Sequence, residues 1–147
     1  LRKNVFNISF DTAFSEVMKS CSLPRIGKSQ SSWITGKMID AYEQLHCQGH
    51  AHSVECWREG KLVGGLYGVS IGGVFFGESM FSFVPDASKV ALATLCSIGK
   101  SWGYLLIDCQ IESSHLLSLG AEKIARSTFS EKLEIFTQIN ITNTAWQ

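Results

Sequence analysis

The chain has 147 residues, and its 13 basic and 13 acidic side chains give a formal net charge of zero. With 45% hydrophobic and 18% charged residues, it has the composition of one globular domain that is long enough to bury a core. The zero net charge excludes a global positive field, so any contact with nucleic acid is expected to be local. No apolar run reaches the length of a membrane span, and the N-terminus carries no signal-peptide pattern.

Cysteine usage predicts a reducing, cytoplasmic environment. The five cysteines are widely spaced and form no C-x-x-C pair, which is typical of reduced core cysteines rather than of a disulfide framework or a zinc site. Cys109 lies between two polar residues, as a nucleophile could. Alternation along its strand nevertheless places it on the apolar side, which favours core packing.

The first half of the chain predicts two helices and the start of an antiparallel sheet. A short strand over residues 4–9 precedes a helix that Asp11 can cap and that runs to about Ser20. After a turn-rich loop at 21–32, Thr35 can cap a second helix. The remaining predicted elements are that helix at 36–48 and strands at 51–58, 61–70 and 74–82, with turns at Glu59-Gly60 and Gly72-Gly73.

The second half predicts a central helix and a mixed set of short elements. Residues 88–100 are apolar almost all round, which is typical of a buried helix. The elements expected after it are a strand at 104–111, a short helix at 113–119, a turn at Gly120, a strand at 121–125 and a helix from 128. Helices mixed with an antiparallel meander indicate an α+β fold, and the order of elements resembles the acetyltransferase-like fold with a mixed, mainly antiparallel sheet flanked by helices.

Two polar residues interrupt the apolar strand at 104–111. Asp108 and Gln110 share one face, while Ile107 and Cys109 lie on the other. A buried carboxylate and amide cost free energy unless they are hydrogen-bonded. A satisfied structural pair and a functional pair both remain open on spacing alone.

A second polar position lies in the glycine-rich strands at 61–70 and 74–82. So many glycines weaken a sheet unless something approaches its backbone closely. Alternation places Glu78 on the same face as Phe76 and Met80. The carboxylate is therefore either a buried hydrogen-bonding anchor or a contact for a ligand.

Several motifs follow one another in the order of a known family. They include Trp33-Ile34-Thr35, Gly49-His50-Ala51-His52-Ser53-Val54-Glu55, Phe76-Gly77-Glu78-Ser79-Met80-Phe81-Ser82 and Leu106-Ile107-Asp108-Cys109-Gln110. The chain resembles the bacterial leucyl/phenylalanyl-tRNA–protein transferases from about residue 32 to residue 129. Most members of that family carry an additional N-terminal domain, so the chain is expected to correspond to the catalytic domain alone, as one unit over residues 1–147.

The resemblance implies an enzyme that moves Leu or Phe from Leu-tRNA or Phe-tRNA to the N-terminal amine of proteins beginning with Arg or Lys. The product is marked for degradation by the N-end rule. No metal, nucleotide or other cofactor is expected, because the aminoacyl ester is already activated. By the same likeness Asp108, Gln110 and Glu78 are the catalytic residues. Gln110 is expected to orient the incoming amine as a hydrogen-bond acceptor, since a carboxamide is a poor base.

Selectivity for Leu or Phe requires an apolar pocket. The residues that the matching motifs suggest for substrate binding are Trp33, Tyr42, Leu66, Phe75, Phe76, Met80, Leu92 and Ile107. Basic residues around the loop at 21–32, namely Arg25, Lys28 and Lys37, are candidates for contacts with tRNA. No membrane partner is expected.

Two other functions compete with this reading. An acyl-coenzyme A-dependent acetyltransferase of similar fold would need a pyrophosphate-binding loop before the central helix, and residues 83–89 do not supply one. A non-catalytic domain that binds aminoacyl-tRNA or peptide termini would not need Glu78, Asp108 and Gln110 together. His50 and His52 share a strand face, but no further ligand lies at metal-binding spacing.

Overall fold

The computed structural model describes residues 5–23, 35–109 and 114–147, although not the side chains of Ser114 and His115. The elements in chain order are β1 (Phe6–Phe10), α1 (Phe14–Ser22), α2 (Gly36–Cys47), β2 (Ala51–Arg58), β3 (Lys61–Ile71), β4 (Val74–Ser82), α3 (Ala87–Trp102), β5 (Leu106–Asp108), α4 (Ser114–Ser118) and α5 (Arg126–Phe136). No helix within these ranges is long and apolar enough to cross a bilayer.

The five strands form one sheet in the order β1-β2-β3-β4-β5. The strands β1 to β4 are antiparallel to their neighbours, and β5 joins β4 in parallel. A parallel neighbour requires a crossover connection, and α3 provides it. The predicted mixed, mainly antiparallel α+β architecture is confirmed.

Helices cover both faces of the sheet, because neighbouring residues of a strand point to opposite sides. Leu66 of β3 packs with Ala91 and Leu95 of α3 in one apolar core. Tyr67, the next residue, packs with Phe14 and other residues of α1 in a second core, which residues of α2 cover. One face of the sheet thus carries α3, as expected for the helix that is apolar all round, and the other carries α1 and α2.

A β-bulge interrupts the pairing of β3 with β4. Tyr67 pairs with Ser79 and Gly68 pairs with Gly77, so Glu78 is the extra residue of β4. A bulge changes the direction in which side chains leave the strand. Phe76, which pairs with Val69, lies on the face of α1 and α2, whereas Met80 packs into the core beside α3. The expectation that Met80 shares the face of Phe76 is therefore wrong.

The carboxylate of Asp11 does not cap α1. The N-cap position belongs to Ala13, which makes no side-chain cap hydrogen bond. Asp11 adopts a positive φ of 56°, and its carboxylate accepts hydrogen bonds from the Ser53 backbone amide at 2.8 Å and pairs with His52 Nδ1 at 2.6 Å. The partners that β2 provides across the sheet replace the local cap. By contrast, Thr35 caps α2 as predicted, accepting from the amide of Met38.

The segment after α3 is less regular than its sequence pattern suggests. β5 comprises only Leu106–Asp108, and Tyr104 and Leu105 precede it. The predicted end of this strand, at residues 110 and 111, lies outside the described residues. Residues 121–125 form no strand, and α5 begins two residues earlier than expected, at Arg126.

Candidate active site

Asp108, the first of the predicted site residues, lies at the end of β5. Among the described residues, the last pair of the parallel β4–β5 ladder is Phe76 with Asp108, and β4 continues to Ser82. Ile107 pairs with Phe75 and packs beside α3, so Asp108 points to the face of α1 and α2. The predicted apolar contact of Ile107 is confirmed, and both Ile107 and Asp108 line the cavity described below.

The bulge brings Glu78 to Tyr42 of α2. The Tyr42 hydroxyl donates a hydrogen bond to the Glu78 carboxylate, and both side chains are half-buried. Burial, together with the charge and hydrogen bond of Glu78, raises the pKa of the Tyr42 phenol. Tyr42 therefore remains a protonated donor to the Glu78 carboxylate at neutral pH.

Tyr67 lies beneath this pair. Its side chain is fully buried, and its ring contacts the ring of Tyr42 edge-on with 5.5 Å between the centroids. Its hydroxyl has no hydrogen-bond partner among the described residues. Burial raises the pKa of Tyr67, with smaller contributions from Cys21, Tyr42 and Glu78. A neutral, unpaired phenol thus lies next to the Tyr42–Glu78 hydrogen bond.

A cavity of about 1380 Å³ opens beside β5. Asp108, Ile107 and Phe76 line it from the sheet, and Leu92 lines it from α3. Ala93, Cys96 and Ser97 of α3 also line it, and the residues after β5 that line it include Leu116, Ala121, Glu122, Lys123, Arg126, Phe129 and Lys132. Asp108 therefore borders a mainly apolar space large enough for an amino-acid side chain and more.

The remaining predicted substrate-binding residues occupy different places. Leu66 and Phe75 are buried in the core beside α3, where the ring of Phe75 contacts Tyr104 and Trp146. Met80 packs against the same core. None of these three is among the described residues that line the cavity.

Several predicted residues cannot be placed. Gln110 and Trp33 lie outside the described residues, as do Arg25 and Lys28. Lys37 is exposed in the first turn of α2. The pairing of Asp108 with Gln110 and the contacts proposed for the basic loop therefore stay predictions.

His52 and Cys109, which could suggest other chemistry, are accounted for by their surroundings. His52 pairs with Asp11 and stacks on Trp146 with 4.3 Å between the ring centroids. Within the described ranges, no group of three His, Cys, Asp or Glu side chains is arranged to hold a metal ion. Burial raises the pKa of the Cys109 thiol, as do Cys96 and Asp108, and a raised pKa disfavours the nucleophilic thiolate.

Two features of the site were not anticipated. Nothing in the sequence distinguishes Tyr67 from other strand residues. The alternation of β3 indicates only that its side chain lies on the face of the sheet opposite to that of Leu66. Arg126, Phe129 and Lys132 of α5 line the cavity together. Their spacing of three residues is a signal that could have been found, since such positions share one side of a helix.

Solved structures with the same architecture define the class of fold. An aminoglycoside acetyltransferase from an uncultured soil metagenomic sample superimposes with a TM-score of 0.59 over 83% of this chain and 93% of its own, at 13% identity. A ribosomal-protein-alanine N-acetyltransferase from Brucella melitensis gives a TM-score of 0.58 over 84% and 93%, at 10% identity. The chain thus has the acetyltransferase fold, as its order of elements predicted.

Sequence comparison assigns the family within that fold. Residues 1–134 match the model of the leucyl/phenylalanyl-tRNA protein transferase family. Relatives of that name from Nitrosomonas europaea and Hydrogenovibrio crunogenus are 51% and 49% identical over 146 residues, which is 99% of this chain. The chain belongs to this family. It spans 61% and 57% of the length of these two curated relatives.

Proposed function

We propose that the chain carries the catalytic site of an aminoacyltransferase that moves Leu or Phe from aminoacyl-tRNA to the N-terminal amine of a protein that begins with Arg or Lys. Family membership supports the reaction class. The observation that supports this site is that Asp108, which pairs with Phe76 in the β4–β5 ladder, lines a mainly apolar cavity, and that Glu78 follows Phe76 two residues later on β4. Marking the acceptor for degradation is the consequence that the resemblance implies.

The two carboxylates suit the acceptor. An N-terminal Arg or Lys brings two positive charges, one on its α-amine and one on its side chain, and carboxylates favour both. Tyr42 holds Glu78 in place by its hydrogen bond, so that the carboxylate can orient an ammonium or amine without rearranging. Gln110 is proposed as the acceptor that aligns the attacking amine, with Asp108 fixing its orientation.

The apolar wall suits the donor. Leu92, Ile107 and Phe76 offer a surface for a Leu or Phe side chain. Holding amine and ester together supplies much of the rate enhancement, because positioning lowers the entropic part of a bimolecular barrier. The amine nitrogen attacks the ester carbonyl, the C–N bond forms as the C–O bond breaks, and the proton lost by the amine ends on the departing ribose oxygen.

A transfer assay tests the proposal. Labelled Leu on leucyl-tRNA is offered to a peptide beginning with Arg and to a matched peptide beginning with Ala, in chelator and without coenzyme A. Transfer to the Arg peptide alone is expected. Equal transfer to both peptides would contradict the acceptor assignment, and dependence on coenzyme A would favour the acetyltransferase alternative. No transfer to either peptide would contradict the proposal that this chain carries the catalytic site.

A further inference from the structure

The cavity has a basic side that the proposed reaction does not yet use. We name as the α5 cationic face the residues Arg126, Phe129 and Lys132, which lie at spacings of three on α5 and all line the cavity. Lys123 lines the same wall. Glu131 and Glu134 of this helix are not among the lining residues, whereas Glu122, which precedes the helix, is, so the wall carries three cations and one carboxylate.

The charges of this face are available to a ligand. Among the described residues, no carboxylate lies within ion-pair distance of Arg126 or Lys132. Arg126 is exposed, and Lys132 is half-buried with its ammonium 5.6 Å from the centroid of the Phe136 ring. Phe129 is half-buried between the two cations along the helix. Cations interleaved with an aromatic ring are typical of surfaces that bind single-stranded nucleic acid.

The charges of the two substrates determine which of them binds at this wall of the cavity. The acceptor terminus is positively charged, so the cations repel it while Asp108 attracts it. The donor is the opposite, because the nucleotides next to its aminoacyl ester are linked by negatively charged phosphodiesters. The opposite charges of Asp108 and the α5 cationic face thus suit substrates of opposite charge in one cavity.

We propose that the α5 cationic face binds the single-stranded 3′ end of the aminoacyl-tRNA, with Arg126 and Lys132 on its phosphates and Phe129 stacked on a base. The proposal rests on the proposed function, in that it assigns the donor half of the same site. It places this contact on α5 and not only on the basic loop that includes Arg25 and Lys28.

Binding of RNA to the whole chain tests the assignment without requiring activity. The probe is a fluorescent single-stranded RNA ending in cytidine-cytidine-adenosine, titrated by anisotropy at several salt concentrations. Arg126→Gln and Lys132→Gln are each expected to weaken binding by about threefold to tenfold and to reduce the magnitude of the salt slope by about 0.7. Phe129→Leu is expected to weaken binding at an unchanged salt slope, because it removes stacking and no charge.

Lys61→Gln is the matched control, since Lys61 is exposed at the β2–β3 turn and is not among the residues that line the cavity. Its binding and salt slope should equal those of the parent chain. Failure of the parent chain to bind the RNA would overturn the proposal, and so would losses in the Lys61 variant as large as those in the Arg126 variant.

A second comparison separates this inference from the proposed function. Leucyl-adenosine carries the ester without a phosphodiester, so Arg126→Gln should raise KM for leucyl-tRNA and leave KM for leucyl-adenosine unchanged. Equal effects on both substrates would refute the phosphate contact while the transferase function stands. If no transfer occurs with either substrate, the proposed function fails, and the RNA titration still decides the role of α5.

Discussion

Tyr67 and Tyr104 show how differently two buried phenols can be accommodated. Tyr104 shares a hydrogen bond with Ser70 Oγ at 2.5 Å and accepts one from Trp146 Nε1 at 3.0 Å. Tyr67 has no hydrogen-bond partner among the described residues, although it is fully buried beside Glu78 and Tyr42. A buried polar atom without a partner loses its hydration and gains nothing in return. The unpaired hydroxyl of Tyr67 therefore lowers the stability of the fold next to the candidate site.

Replacing Tyr67 by Phe should therefore stabilise the protein. The substitution removes only the unpaired hydroxyl, so the free energy of unfolding is expected to rise by about 1 kcal/mol. Tyr104→Phe is the matched control and should lower it by a similar amount, because it leaves the Trp146 donor unpaired. Urea unfolding measures both values. A less stable Tyr67→Phe variant would contradict this description of the core.

Sequence reasoning proposed Asp108 and Glu78 as site residues but could not predict the positions that the fold gives them. Alternation correctly places Ile107 in the core beside α3, because β5 is regular over its three residues. It fails at Met80, because the extra residue of a bulge leaves no mark in a hydrophobic pattern. The Tyr42–Glu78 hydrogen bond joins two elements 36 residues apart, so neither local pattern contains it.

At the scale of elements, the bounds of strands were predicted best where turn residues mark their ends. The meander strands match their predicted bounds to within one residue, since Glu59-Gly60 and Gly72-Gly73 mark the reversals. Residues 121–125 alternate weakly and find no neighbouring strand in the described sheet, so they remain irregular. Asp11 precedes α1 at a position suitable for a helix cap, but its carboxylate instead pairs with His52 and accepts a hydrogen bond from the amide of Ser53, both on β2.

Gly64 determines how closely α3 approaches the sheet. A Cβ at this position would lie 2.5 Å from Cβ of Ala87, the first residue of α3. The close approach expected from the glycine-rich strands is made here by a helix and not by a ligand. The short separation allows α3 to pack over β3, and Leu92 of this helix lines the cavity.

Gly64→Ala should consequently destabilise the fold by about 1–3 kcal/mol, because the added methyl group overpacks the contact with α3. Gly36→Ala provides the control, since a Cβ there meets nothing within 4 Å and the residue lies in the first turn of α2. That variant should be neutral or slightly more stable. Equal effects of the two substitutions in urea unfolding would show that α3 does not depend on Gly64.

For the whole molecule, ionisation of the three tyrosines makes the free energy of unfolding depend on pH in the alkaline range. Burial raises the pKa of Tyr42, Tyr67 and Tyr104 above 10.0, and these are all the tyrosines of the chain. The folded state therefore holds these protons more tightly than the unfolded state does. Their contribution to stability is complete below pH 10.0 and is lost as pH rises from there through the raised pKa values.

Urea unfolding at increasing pH should show this loss. The free energy of unfolding is expected to fall above about pH 10, and Tyr67→Phe should reduce the steepness of the fall because it removes the most deeply buried phenol. An equal decline in the variant and the parent chain would mean that Tyr67 ionises as readily in the folded state as in the unfolded state.

The central claim is that the end of the β4–β5 ladder is the catalytic site, and single-turnover transfer of Leu to an Arg-terminated peptide by the Asp108→Asn variant tests it most directly. Asn keeps the size of the side chain and removes its charge, and the rate is expected to fall by about 100-fold or more. Asp86→Asn is the control at an exposed carboxylate beside α3 and should transfer at the parental rate. A parental rate for Asp108→Asn would contradict the claim.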